Sequence, residues 1–248
     1  MQEITSVNND LVKETVKLQQ KKYRDKENKF LLEGEKCIEE AFQAGVEIEY
    51  AFVSNEKKYG FLSDKVILTN EAVLKKISTT DSPPDAVAVA IKKTYSVNDL
   101  KNAKKVVLLE NVKDLGNLGT ILRTSTAFGA DALVLYGREC ADIYNPKCVR
   151  SSVGNLWKIP VVYIESFDEL QKYFAGFNRI ATLPHTSNYL KDFETQMPLV
   201  VMFGSEADGL SDELIKFSTD SVKIEMASSV ESLNLSVSCA VVLYKLFL

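Results

Sequence analysis

Ser221-Val-Lys-Ile-Glu-Met-Ala-Ser-Ser-Val-Glu-Ser-Leu-Asn-Leu-Ser-Val-Ser-Cys-Ala-Val-Val-Leu-Tyr244 is the stretch from which the chain is best read. Val222 to Met226 has the apolar alternation of a short strand. A polar loop follows, and a helix is expected to begin near Ser232. Small residues (Ser236, Ser238, Ala240) alternate with apolar ones along it, so this helix can approach other backbone closely. Ser232 and Asn234 fall at its expected first turn, where side chains cap free N–H groups or face a ligand. An ordinary N-cap on a buried terminal helix fits this stretch taken alone. The rest of the chain has to decide between cap and site.

Upstream of it, from Val106, strands and helices alternate regularly. Strands are expected at Val106–Glu110, Ala132–Tyr136, Pro160–Ile164, Arg179–Leu183 and Leu199–Phe203. Helices are expected at Leu118–Phe128, Pro146–Asn155, Phe167–Phe174 and Asp212–Phe217. Nearly continuous apolar strands separated by helices imply an α/β fold with a parallel sheet covered by helices on both faces. Ligands in such sheets bind at the carboxyl ends of the strands. The first ninety residues form a separate α/β pattern. A helix capped at Asn8 or Asn9 leads to a charged run, Lys21 to Lys29. Strand Phe30–Glu33 and a helix closed by Gly45 come next. Strands Ile48–Ser54 and Val66–Thr69, a helix capped by Asn70, and strand Ala86–Val-Ala-Val-Ala-Ile91 complete the pattern. The polar segment Lys92 to Asn98 reads as a linker, which places two domains at 1–93 and 104–248.

A chain of 248 residues with 46% hydrophobic and 26% charged residues has the make-up of an ordinary globular protein. Its net charge of −4 neither marks nor excludes a nucleic-acid binder, because binding depends on a local patch. Lys21 to Lys29, with Tyr23 inside it, is either a solvated charged turn or a phosphate-contacting patch. Cys37, Cys140, Cys148 and Cys239 are scattered, with no Cys-x-x-Cys pair, and read as free thiols rather than a disulfide or metal framework. The opening residues are polar and no apolar run has membrane-spanning length, so a soluble cytoplasmic protein is expected.

Three loops carry polar residues that the fold places at strand ends. In Glu110-Asn-Val-Lys-Asp-Leu-Gly-Asn-Leu-Gly-Thr-Ile-Leu-Arg123, Gly116 and Gly119 allow close backbone approach, and Asn117 is placed to start the helix. The spacing is not that of a dinucleotide-binding Gly-x-Gly-x-x-Gly turn. Arg123 follows the apolar pair Ile121-Leu122, and so calls for an anionic partner, structural or ligand. In the second loop, Gly204 and Gly209 flank Glu206. A glycine turn beyond a strand suits an adenosine-like ligand, and the acid argues against a phosphate cradle. The third loop holds Ser232 and Asn234. Thr182-Leu-Pro-His-Thr186 contains the chain's single histidine, His185, without triad partners.

Together these loops resemble the three signature motifs of the SpoU family of S-adenosylmethionine-dependent RNA 2′-O-ribose methyltransferases. The matching stretches are Asn117-Leu-Gly-Thr-Ile-Leu-Arg123, Phe203-Gly-Ser-Glu-Ala-Asp-Gly209 and Ser232-Leu-Asn-Leu-Ser236, in that order. The resemblance covers about residues 104–248. Lys21-Lys-Tyr-Arg24 and Phe30-Leu-Leu-Glu-Gly34 resemble, more weakly, an accessory RNA-binding domain similar to small ribosomal proteins. What the resemblance implies is a C-terminal trefoil knot, against the general absence of knots, and a homodimer with the site at the subunit interface. It implies Arg123 as the catalytic arginine and Asn117 as the residue positioning it. Glu206, Ser232 and Asn234 complete the polar site. It further implies that Thr182, Gly204, Ile224, Met226 and Leu233 hold the methyl donor, and that the substrate is RNA, ribosomal rather than transfer. Leu115 and Glu225 stand where the family commonly has proline, which alters backbone stiffness and no functional group. The competing readings are a transfer-RNA methyltransferase, an RNA-binding or assembly protein without catalysis, and a nucleotide-dependent oxidoreductase lacking its fingerprint.

Overall fold

The computed structural model describes residues 2–248. In chain order its elements are β1 (Gln2–Glu3), α1 (Asp10–Lys17), α2 (Lys21–Glu27), β2 (Lys29–Glu33), α3 (Glu35–Gln43), β3 (Ile48–Val53), β4 (Val66–Leu68), α4 (Glu71–Ile77) and β5 (Ala86–Ile91). They continue with β6 (Lys105–Glu110), α5 (Leu115–Ala127), β7 (Ala132–Tyr136), α6 (Pro146–Ser152), β8 (Val161–Ile164), α7 (Phe167–Phe174), β9 (Asn178–Thr182), β10 (Leu199–Phe203), α8 (Asp212–Phe217), β11 (Asp220–Val222) and α9 (Leu235–Phe247). The chain divides into two compact units. One comprises residues up to Lys93 together with Asp142–Trp157, and the other Thr94–Ala141 with Lys158–Leu248.

The first unit is built on a mixed sheet in the order β1-β4-β3-β5-β2. Leu31, Phe52, Ile67, Val87 and Val89 line one face and meet Val12, Leu18, Val73 and Ile77 from its helices. The helix ends follow local chemistry. Asn9 and Asn70 cap α1 and α4 through their side-chain oxygens, and Gly45, at φ 74, follows the end of α3. The charged run is itself a helix, α2, and Arg24 within it is 1% exposed. Its guanidinium donates to Asp142 Oδ2 at 2.6 and 3.0 Å and to the carbonyls of Leu18 and Gln19. Arg24 therefore fits neither reading of the run, a solvated turn or a phosphate-contacting patch, because its charge is spent on an internal carboxylate. Residues 142–157 join this unit through that pair, through the Arg150–Glu33 ion pair, and through Tyr144 and Trp157 packed on Phe30.

The second unit holds an all-parallel sheet in the order β11-β9-β10-β6-β7-β8. Residues of β6, β7 and β10 are buried on both faces, as the apolar runs anticipate. Val106, Leu108, Val134, Val200 and Met202 pack with Leu170 and Phe174 of α7 and Leu214 of α8. The alternate residues Val107, Leu109, Leu133 and Val201 point the other way. The helices α5 and α9 pack on each other. The expected α/β class with a parallel sheet is observed. Several boundaries differ from expectation: α5 begins at Leu115 rather than Leu118, and α6 ends at Ser152 rather than Asn155. The last strand ends at Val222 rather than Met226, because its partner β9 stops at Thr182 and Lys223 pairs instead with Tyr189. The last helix begins at Leu235, three residues after Ser232. Among the described residues no helix is long and apolar enough to cross a membrane.

Candidate active site

The three polar loops leave the carboxyl ends of β6, β10 and β11 and meet. The first follows β6. Asp114 Oδ1 accepts from Asn117 N at 2.7 Å, so Asp114 is the N-cap of α5 and Asn117 its third residue, not its first. The Asp114-x-x-Asn117 spacing carried that signal, since a short carboxylate three residues ahead captures the free amide. Leu115 occupies the first helical position, where proline is also favoured. Glu110, buried at the end of β6, accepts from Ser211 N at 2.8 Å and so ties the first loop to the start of α8.

The second loop, Gly204 to Gly209, closes on itself. Ser205 N donates to Gly209 O at 3.2 Å and Gly209 N to Ser205 O at 3.1 Å. A Cβ on Gly204 would lie 1.9 Å from Gly209 C and 2.1 Å from Leu210 N, so only glycine fits. This turn sets Glu206 at the rim, facing Asn117.

The third loop ends at Asn234, the N-cap of α9. Its Oδ1 accepts from Ser236 N at 2.9 Å and from Ser236 Oγ at 2.6 Å. A backbone N–H can only donate, so the Asn234 amide has one orientation. Its Nδ2 must then donate, and does, to Asn117 Oδ1 at 3.1 Å. Asn117 is fixed in turn and donates through Nδ2 to Glu206 Oε1 at 2.8 Å. A directed relay, Asn234 to Asn117 to Glu206, thus joins residues 117 positions apart in the chain.

Below the relay lies a cavity of about 500 Å³, within the range of small-molecule sites. Thr182, Gly204, Ile224, Met226 and Leu233 line it, as do Glu206, Ser232 and Asn234. Leu183, Phe203, Leu235 and Val242 add apolar wall, which sequence reading did not single out because they look like ordinary core. Thr182 Oγ1 donates to Met202 O at 2.9 Å, so this side chain holds the floor. The wall at Lys223 is clamped from outside: Lys223 N donates to Asn188 O and Leu190 N to Lys223 O, and the ammonium stands 4.5 Å from the centre of the Tyr189 ring. Glu225 is exposed and pairs with Lys191, whose pKa this bond raises. His185 is exposed beside the cavity rather than in it.

Arg123 is not brought to the relay. It lies six residues beyond Asn117, about 9 Å further along the helix axis, and is exposed with no side-chain partner among the described residues. Asn117, although in the relay, also stays outside the cavity wall. Outside these loops, Tyr136 donates to Glu213 Oε2 at 2.9 Å, and burial followed by that carboxylate pushes its phenol pKa up. Among the described residues the four cysteines form no disulfide, and no cluster of metal ligands occurs.

Comparison with known proteins agrees with this layout. Residues 9–88 match the MRM3-like substrate binding domain. A protein of Synechocystis sp. named as an uncharacterized tRNA/rRNA methyltransferase is 34% identical over 253 residues, covering 98% of this chain and 92% of its own. The 23S rRNA (guanosine(2553)-2′-O)-methyltransferase RlmP of Bacillus subtilis is 31% identical over 252 residues, covering 99% of each. The structure of an AdoMet-bound rRNA methyltransferase from Sinorhizobium meliloti superposes with a TM-score of 0.88 at 27% identity, covering 98% of this chain and 96% of that one. The AdoMet complex of the SpoU methyltransferase AviRb from Streptomyces viridochromogenes gives 0.85 at 25% identity, covering 96% and 97%. Residues 104–244 match the SpoU rRNA Methylase family over more than half of the chain, and the chain belongs to that family.

Proposed function

We propose that this protein is an S-adenosylmethionine-dependent 2′-O-ribose methyltransferase of ribosomal RNA. The observation that carries the reading is the Asn234–Asn117–Glu206 relay set on the rim of a cavity whose backbone wall at Gly204 leaves no room for a side chain. The cavity fits the donor. It has apolar walls for an adenine and a methionine chain, bare backbone for hydrogen bonds, and an acid for the ammonium or sulfonium charge. Thr182, Gly204, Ile224, Met226 and Leu233 are assigned to hold it, and it supplies the electrophilic methyl group.

The chain's own residues orient the acceptor. Glu206 receives the relay on Oε1, and Oε2 is left to accept from an incoming hydroxyl. Ser232, exposed two residues before the cap, adds a second polar contact at the rim. Arginine stays protonated at any working pH. Arg123 is therefore assigned to grip a substrate phosphate through its planar fork and to stabilise charge developing on the 2′-oxygen.

Arg123 lies outside its own chain's cavity, which supports a homodimer in which each copy completes the other's site. The surface for this is the stripe Val237, Val241 and Tyr244 on α9, 47%, 41% and 64% exposed and spaced as one helical face. Tyr244 packs edge-on against Phe128 just past the end of α5, the helix that carries Arg123. We also infer the terminal knot. The segment after β11 is held by Asn188 and Leu190 of the preceding loop before it returns as α9. The reading is tested by mapping ribose methylation in a strain lacking the gene against its parent. One 23S rRNA position is expected to lose its 2′-O-methyl group. An unchanged map in 23S rRNA would contradict the proposal, and a loss in transfer RNA would move the substrate there.

A further inference from the structure

The amino ends of the central strands carry a second feature that the methyl-transfer site does not use. Among the described residues of the second unit, the lysines whose ammonium groups have no partner are Lys101, Lys104, Lys172 and Lys216. The unit's other lysines each have one. The four unpaired ones are not scattered. Lys101, Lys104 and Lys172 line a cleft of about 1020 Å³ beside α7, and Lys172 and Lys216 line the cleft adjoining it. Tyr173 and Phe177, both half-buried, form an aromatic wall of the first cleft with ring centres 6.2 Å apart. The one acid lining it is Glu169. In a chain of net charge −4, three unneutralised ammonium groups around two aromatic rings are a local exception.

We propose that this cleft binds a phosphodiester segment of the RNA substrate remote from the methylated nucleotide. The inference rests on the RNA methyltransferase reading above. Lysines without partners are ready to neutralise phosphates and release counterions. Half-buried aromatic rings offer stacking surface to an unpaired base. The cleft lies one strand length, about 20 Å, from the Glu110 end where the relay stands. Only RNA that extends well beyond its target nucleotide reaches both.

The test uses the full chain with Lys101, Lys104 and Lys172 all replaced by glutamine, substitutions at exposed positions. Binding to an unmodified 23S rRNA transcript is measured from about 50 to about 200 mM salt, where each lost phosphate contact flattens the slope of log K against log salt by about 0.7 to 0.9. The slope is expected to become shallower by about 2 to 3. KM for the transcript should rise about tenfold or more from the same lost contacts, with kcat at saturating RNA and S-adenosylmethionine affinity unchanged. An unchanged slope and KM would overturn the proposal and leave the lysines a solvated face or a site for an acidic protein. If wild-type protein methylates no transcript, the methyltransferase reading fails, whereas the cleft is still judged by the binding slope alone.

Discussion

Replacing Gly204 by alanine tests the geometry that the donor cavity depends on. The new methyl would sit 1.9 Å from Gly209 C, 2.1 Å from Gly209 O and 2.1 Å from Leu210 N. Those atoms are backbone and cannot rotate away as a flexible side chain would. One side of the turn must move by more than 1 Å, roughly, to reach ordinary contact distances. That shift strains a packed loop by about 1–3 kcal/mol. It also breaks the paired hydrogen bonds between Ser205 and Gly209, worth about 1 kcal/mol each. The total is about 3–5 kcal/mol, and for a chain of this size each kcal/mol lowers Tm by about 2–4 °C. Calorimetry of the variant should show a drop of roughly 6 to 20 °C. Titration calorimetry should show weakened S-adenosylmethionine binding, because the displaced turn is itself the cavity wall at Gly204 and Ser205. A variant that melts with the parent and binds the donor equally would refute the close approach of Gly204 to Gly209.

Other outcomes follow from particular contacts. Asn117→Ala removes the donor to Glu206 and the acceptor for Asn234, so kcat should fall about 10- to 100-fold, the scale of one hydrogen bond to a charged group, while single-turnover transfer and calorimetry show donor binding nearly intact. Mixing Arg123→Ala with Glu206→Ala protein should restore about one quarter of wild-type activity through randomly formed dimers; no recovery would place both residues in one chain's site. Burial, ahead of the neighbouring Glu33 and Glu40 charges, pushes the Cys37 thiol from 9.0 up to about 12. The folded state thus keeps a proton that the unfolded chain loses. Stability should be unaffected below pH 9 and fall by at most about 1.4 kcal/mol per pH unit from there toward pH 12. Urea titrations of Cys37→Ser should show a shallower alkaline decline than wild type.

Local chemistry made much of this legible. Apolar runs and helix caps placed β6 to β10 within a residue or two, because buried parallel strands and Asn, Ser or Asp caps leave short-range signatures. The site loops were legible for the same reason: Gly204, Glu206 and Asn234 lie where a strand ends or a helix starts. What escaped was decided by competition or by distance. Asp114 outcompeted Asn117 for the start of α5, and Asn234 outcompeted Ser232 for α9, since one cap takes the free amides. Arg24 looked like part of a solvated run, yet its partner Asp142 is 118 residues away. The same distance hid the joining of residues 142–157 to the first unit. The orientation of the relay could not be read either. It follows from Ser236 N donating to Asn234, a bond that only the folded backbone fixes.

The central claim is that these loops deliver a methyl group to a ribose oxygen. Labelled S-adenosylmethionine incubated with the protein and unmodified 23S rRNA, followed by alkaline hydrolysis, tests it most directly. A methylated 2′-oxygen cannot attack the neighbouring phosphate, so the label is predicted in an alkali-resistant dinucleotide. Label recovered only in mononucleotides, as base methylation would give, or no transfer at all, would contradict the account.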